Sequence, residues 1–207
     1  MAKLKSIFLQ QIESFIQKQY GEQKSKKIIA TAWARYEELC AENADEAQFM
    51  YPHTRDRIYP GIASFDAMLA HGATRDEAAN LIFEYYSWRS AKMGKKIRSI
   101  MKFPGLYKKA PTIFKKMLGK MFSTEAGFAT KDYATPKTAV RFDMIQCPYV
   151  QICAKYGCAE IVKSYCHADI LSFGNMHKNV VFHRTQTLGE GGTCCDFSIK
   201  ITKENQL

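Results

Sequence analysis

CPYVQICAKYGCAEIVKSYCHADILSFGNMHKNVVFHRTQTLGEGGTCCDF, residues 147–197, carries six of the chain's seven cysteines and its clearest succession of turn and strand signals. Cys147-Pro148 closes a run, 137–146, in which Thr138, Val140, Phe142 and Met144 alternate with Ala139, Arg141, Asp143 and Ile145, the period-two pattern of a half-buried strand. Residues 150–156 read as a short helix stopped at Gly157, and a second helix starts near Ala159. Helical spacing puts Cys158, Ile161, Val162, Tyr165, Cys166 and Asp169 on one stripe of it. A carboxylate on an otherwise apolar stripe must find a partner or keep its proton, because an unpaired buried charge is costly. Residues 179–188 and 193–201 read as two antiparallel strands joined at Gly189-Glu190-Gly191-Gly192, whose glycines suit a hairpin turn with positive backbone angles. On the last strand Cys195, Phe197, Ile199 and Ile201 share one face and Cys194, Asp196, Ser198 and Lys200 the other, so the adjacent cysteines point oppositely.

Upstream, the periodicity is helical. Leu4, Ile7, Phe8, Ile12, Phe15 and Ile16 predict one helix ended at Gly21, and Ile28, Ile29, Ala32, Trp33, Tyr36, Leu39 and Cys40 predict a second with Trp33 in the core. Tyr51-Pro52 and Tyr59-Pro60-Gly61 punctuate a connection in which His53 is expected to be solvated. A short helix follows over 62–69, stopped at Gly72, and Thr74 with Glu77 forms a capping-box signature opening a helix to about Met93. Residues 127–136 read as a polar connection. The expected fold class is α+β: one domain, 1–207, with an N-terminal helical region (1–126) packed on a small antiparallel β-sheet with two short helices (137–203).

The net charge of +10 is unevenly spread. Residues 85–124 contain no acid, while Arg89, Lys92, Lys95, Lys96, Arg98, Lys102 and further lysines through Lys120 accumulate among large aliphatic side chains. Three readings fit that segment: a solvated lysine face on helices that cover a pocket, peripheral contact with an anionic membrane through 92–120, or phosphate contacts with nucleic acid. Nucleic acid is the least expected, because no binding motif accompanies the charge. No stretch reaches the roughly 20 apolar residues of a spanning helix, and the N-terminus lacks a secretory pattern, so a cytoplasmic location with reduced cysteines is expected.

Several spaced signatures carry a resemblance. Cys147-Pro148-Tyr149, Gly157-Cys158-Ala159-Glu160, Cys166-His167-Ala168-Asp169, Phe182-His183-Arg184-Thr185-Gln186-Thr187 and Gly191-Gly192-Thr193-Cys194-Cys195-Asp196-Phe197, with Tyr59-Pro60 and 72–79 upstream, resemble the L-2-amino-thiazoline-4-carboxylic acid hydrolase family. More distantly, the last signature resembles vinyl-reductase-like and transport-particle-like small-ligand domains. The family resemblance implies opening of a thiazoline ring by water to N-carbamoyl-cysteine. That chemistry needs a base for water, a donor for the departing sulfur and a cation for the substrate carboxylate.

On that resemblance, Asp169 or Glu160 would handle protons and Cys166 or Cys195 would act as nucleophile or metal ligand. Arg184 would anchor the carboxylate, with His167 as a second substrate-binding candidate. Each has a plainer alternative: Cys153 and Cys158 suit a core, Arg184 could pair with Asp169 or Asp196, and Glu160 could simply favour its helix N-terminus. The cysteine gaps differ from the short pairs of structural zinc sites, so a divalent metal, if one binds, would take ligands from distant segments, for example Cys147, Cys166 and His167. The expected partner is a small-molecule substrate, with self-association left open. The competing function is a non-enzymatic small-ligand-binding domain associated with a membrane surface.

Overall fold

A computed structural model describes residues 5–202, in which six α-helices and a four-stranded antiparallel sheet make an α+β protein. Leu4, the expected start of the first helix, and residue 203, the expected end of the core, lie outside the described residues. The first helix, α1 (Ile7–Glu42), is capped by Ser6, whose Oγ accepts from the Leu9 N–H at 3.2 Å. At Gly21 the backbone turns to φ 69° and ψ 177°, so α1 is two helical halves jointed at the predicted glycine, the residue that takes positive φ without steric cost. Trp33 is half-buried rather than in the core, and its Nε1 donates to Glu13 Oε1 at 2.7 Å, tying the two halves together.

Helix α2 (Tyr59–Ala70) begins earlier than the proline punctuation suggests. Pro60 falls in its first turn, where a missing N–H leaves no helical bond unmade. A π-helical turn, Thr54–Ile58, leads into it. His53, expected in solvent, is buried instead, with Nδ1 3.1 Å from the Tyr149 hydroxyl.

Helix α3 (Arg75–Met101) opens on the predicted capping box. The Thr74 N–H donates to Glu77 Oε2 at 2.8 Å, and the Glu77 N–H donates to Thr74 Oγ1 at 3.2 Å. Thr74→Ala is expected to cost about 1 kcal/mol in urea unfolding, while Thr74→Ser, which keeps the acceptor, costs much less. The helix runs eight residues past Met93 because nothing in the chain interrupts it before Pro104. Helix α4 (Ala110–Met121) again carries its proline, Pro111, in the first turn; the sequence alone suggests that Pro104-Gly105 and Pro111 break the basic segment, but Pro111 starts a helix.

The chain divides into two compact units, Met1–Tyr85 with Tyr149–Ser164 and Tyr86–Pro148 with Tyr165–Leu207. In the first, α1 packs along α2 over a core that includes Ile12, Ile16, Ile28, Leu39, Ile58 and Ile62, all essentially solvent-free. The second holds the sheet: β1 (Ala129–Asp132), β2 (Ala139–Gln146), β3 (Val180–His183) and β4 (Cys195–Ile201), in the order β1-β2-β4-β3. The stretch read as a polar connection, 127–136, therefore contains the edge strand β1. Its mostly exposed ATKD sequence has no apolar alternation to mark it.

On β2 the predicted face is the buried one, Val140, Phe142 and Met144, placed opposite Ile199, Phe197 and Cys195 of β4. A series of ring contacts then binds helices to sheet. Phe142 stacks on Phe197 at 4.9 Å, Phe197 meets Phe182, Phe182 meets Phe173, and Phe173 meets Phe114 of α4 edge-on at 4.8 Å. Two short helices, α5 (Pro148–Lys155) and α6 (Val162–Phe173), stand between β2 and β3 in the chain, with Gly157 at φ 66° between them. No helix among the described residues is long and apolar enough to cross a membrane.

Candidate active site

Helix α6 carries Cys166 and Asp169 three residues apart, one turn above the other on a single face. Arg184, the residue after β3, reaches both. Its Nη1 donates to Asp169 Oδ2 at 3.2 Å, and its Nη2 donates to the Cys166 carbonyl at 3.2 Å. The guanidinium carbon also lies 5.6 Å from the centroid of Phe197. The Arg184 side chain is only 6% exposed, against 34% for Asp169, so the cation is inside and the carboxylate is nearer the surface.

Arg184 occupies this place because the β3–β4 pairing is shorter than predicted. The strands pair only over Val180–His183, and residues 184–194 form a folded connection rather than a tight glycine hairpin. Side chains replace the sheet bonds. Asp196 accepts from the N–H groups of Thr185 and Gln186, each at 2.9 Å, and Gln186 Oε1 accepts from the Thr193 N–H at 3.0 Å. Thr187 caps a short turn, Leu188–Glu190, accepting from the Glu190 N–H at 3.1 Å and donating its hydroxyl proton to Glu190 Oε2 at 2.7 Å. Gly192 has to be glycine: a Cβ there would stand 2.7 Å from Gln186 Oε1 and 2.9 Å from the Thr187 carbonyl.

That turn delivers two groups which the strand reading missed. The Leu188 N–H donates to Cys195 Sγ at 3.3 Å, and the Thr187 side chain acts to hold the Cys166 thiol pKa down. The signal was present in the sequence: Thr187-Leu188-Gly189-Glu190 has the Thr-x-x-Glu spacing of a capping box. Glu190 is close enough to raise the Cys166 thiol pKa further.

Burial pushes the Asp169 carboxyl up to about 6, with Arg184 opposing the rise. Solvent reaches a third of that side chain, so it can exchange protons with water near neutral pH. Burial also pushes the Cys166 thiol up, against the influence of Thr187, and pushes Cys195 up to about 11 against the Leu188 N–H. Cys166, Asp169 and Arg184 all act electrostatically on Cys195, so the four make one group. Both thiols hold their protons at neutral pH. They are suited to donate a proton rather than to attack as thiolates.

Glu160 belongs to the first unit, where Arg75 Nε donates to its Oε1 at 2.6 Å. Burial raises its carboxyl, but the Arg75 hydrogen bond and backbone bonds outweigh that and hold it below the usual glutamate range, the opposite of what proton exchange at neutral pH requires. His167 follows Cys166 on α6 and is turned about 100° around the helix from it. Cys147 is half-buried at the end of β2. Cys147, Cys166 and His167 do not assemble as a ligand set: among the described residues no three His, Cys, Asp or Glu side chains are placed to hold a metal ion. Adjacent residues on a helix diverge, which separates Cys166 from His167. No disulfide forms among the described residues, and Cys153 and Cys158 are core residues. The open groove of about 590 Å³ along α1, lined by Glu13, Trp33 and Glu37, is far in sequence from this chemistry and holds none of it.

The second unit is thus an α+β scaffold whose helix α6 and β3–β4 connection bring together a carboxylate, a guanidinium and two protonated thiols. Residues 51–199 match the family described as L-2-amino-thiazoline-4-carboxylic acid hydrolase, and the chain belongs to that family. The matched span includes every member of the four-residue cluster. No curated protein matches the chain.

Proposed function

We propose that the protein hydrolyses a small cyclic amidine, of the type of L-2-amino-thiazoline-4-carboxylate, to N-carbamoyl-cysteine, with Asp169 as the proton-transfer group. The observation that carries this reading is the solvent-reachable Asp169 carboxyl, poised near pH 6, beside the protonated Cys166 in a chain of this family. Asp169 takes a proton from water as its oxygen bonds to the amidine carbon. The carbon–sulfur bond then breaks and a carbonyl forms. One proton of the water ends on the ring nitrogen and the other on the departing sulfur, passed on by Asp169 or exchanged through the Cys166 thiol. Water plus substrate equals product, and no oxidant or reductant is needed.

Arg184 takes a different role from the one the resemblance implies. Its buried guanidinium is engaged by Asp169 and by the Cys166 carbonyl, so it positions the base rather than anchoring the substrate carboxylate.

The test is incubation with L-2-amino-thiazoline-4-carboxylate and mass-spectrometric detection of N-carbamoyl-cysteine, for the native chain and for Asp169→Asn. Loss of the base is expected to lower turnover by about 10²–10⁴-fold. The native rate should fall as pH drops through about 6, since a raised pKa means that the carboxyl is protonated and inactive below that value. Turnover unchanged in Asp169→Asn sinks the assignment. Retention of the compound without turnover would move the chain to the small-ligand-binding reading.

A further inference from the structure

We infer that the C-terminal part of α3 and the turn after it form a docking surface for an anionic lipid bilayer. Residues 85–124 hold eleven Lys or Arg and no acidic residue, so nothing within the segment neutralises its charge. Large apolar side chains stand exposed among those cations: Met93 is 49% exposed, Ile100 52% and Phe103 67%. Met93 and Ile100 are seven residues apart, two turns on one line of α3, with Lys96 on the turn between them. Phe103 follows immediately, its N–H donating to the Ile100 carbonyl at 3.1 Å, which holds the isoleucine and the phenylalanine at one corner of the molecule. Lys95, Lys96 and Ser99 rim a shallow depression beside Ile100.

This pairing of exposed aliphatic and aromatic side chains with lysines from a segment that holds no acid is what an anionic bilayer surface rewards. The apolar groups enter the headgroup boundary, and the cations remain with the lipid phosphates. Each lysine near such a surface strengthens partitioning by about fivefold. A nucleic-acid backbone would use the lysines but gain nothing from Ile100 or Met93. A protein partner is a poorer fit, because lysine is depleted from the cores of protein interfaces.

The test is co-sedimentation of the full chain with vesicles of phosphatidylglycerol and phosphatidylcholine, beside vesicles of phosphatidylcholine alone. Binding to the anionic vesicles only, weakening as salt is added, is expected. The pair Ile100→Ser and Phe103→Ser should lower partitioning by about tenfold with no change in the thermal melt, since both side chains are already exposed. The pair Lys95→Glu and Lys96→Glu should lower it by at least about twentyfold. No sedimentation, equal sedimentation with neutral vesicles, or indifference to the serine pair overturns the inference. Tighter binding to a duplex oligonucleotide, lost with the glutamate pair and untouched by the serine pair, overturns it in favour of nucleic acid.

Discussion

Asp169→Ala is expected to destabilise the chain by about 3 kcal/mol, more than Arg184→Met, and the asymmetry follows from which partner is inside. Removing Asp169 leaves a guanidinium, 6% exposed, with the Cys166 carbonyl as its remaining acceptor in the pair's place. Removing Arg184 leaves a carboxyl that is one-third exposed and already raised to about 6, and this group escapes its charge by taking a proton. Asp169→Asn retains an oxygen for Arg184 and is expected to fold with most of its stability, which separates the chemical role of the carboxylate from its structural one. In Asp169→Leu with Arg184→Met both charges are gone. Stability should return towards the native value, because a well-packed apolar pair replaces a buried ion pair at little cost. Activity should not return. Urea titration of the four variants reads the stabilities, and equal losses from Asp169→Ala and Arg184→Met would remove the distinction between an inner cation and an outer carboxylate.

The same pair has a pH signature. The unfolded chain releases the Asp169 proton near pH 3.9, whereas the folded chain holds it until about 6. Between those values the native state binds more protons, so the contribution of Asp169 to stability is fully present below about pH 4 and is lost as pH rises through about 6. Arg184→Met removes the influence that opposes the rise, so both the loss of stability and the acid limb of the activity move to higher pH.

Gly94→Ala should be severely damaging. A Cβ on Gly94 of α3 would stand 2.3 Å from the carbonyl oxygen of Leu171 on α6, and 3.4 Å from its carbonyl carbon. A flexible side chain could swing aside, but a helix backbone cannot, so α6 has to be displaced as a body. Overpacking of this kind costs about 1–3 kcal/mol and occasionally more, and rigid backbone on the opposing side places Gly94→Ala at the upper end. Leu171 is two residues from Asp169. The displacement therefore moves the carboxylate away from Arg184, and turnover should fall by more than the loss of folded protein explains.

Gly119→Ala is the matched control. A Cβ at Gly119 of α4 meets nothing within 4 Å, and that substitution should stabilise the helix by about 0.5–1 kcal/mol. Urea midpoints of the two variants should move in opposite directions. A neutral Gly94→Ala would mean that α3 and α6 are not held at this approach.

Local patterning accounts for most of the elements. The alternation of Val140, Phe142 and Met144, the Thr74–Glu77 box, the break at Gly21 and the stop at Gly157 are short-range facts of steric fit and hydrogen bonding, and the chain realises each of them. Pro60 and Pro111 were ambiguous because a proline ends one helix and begins another with the same backbone angle, and only the flanking packing tells the two apart. β1 was invisible because an exposed edge strand carries no apolar period.

The candidate site divides in the same way. The sequence by itself put Cys166 and Asp169 on one helical face and Cys195 on the buried face of its strand, since both follow from the periods of helix and strand. It could not choose among Asp169, Asp196 and the substrate as the partner of Arg184. That choice depends on where β3 stops pairing, and the pairing stops because Asp196, Gln186 and Thr187 satisfy the backbone of 184–194 in place of a longer ladder. Nor could it name the partner of Glu160, because Arg75, which donates to that carboxylate, stands 85 residues earlier in the chain. Pairing between charges distant in sequence is fixed by topology, and here topology paired Glu160 with Arg75 and Asp169 with Arg184.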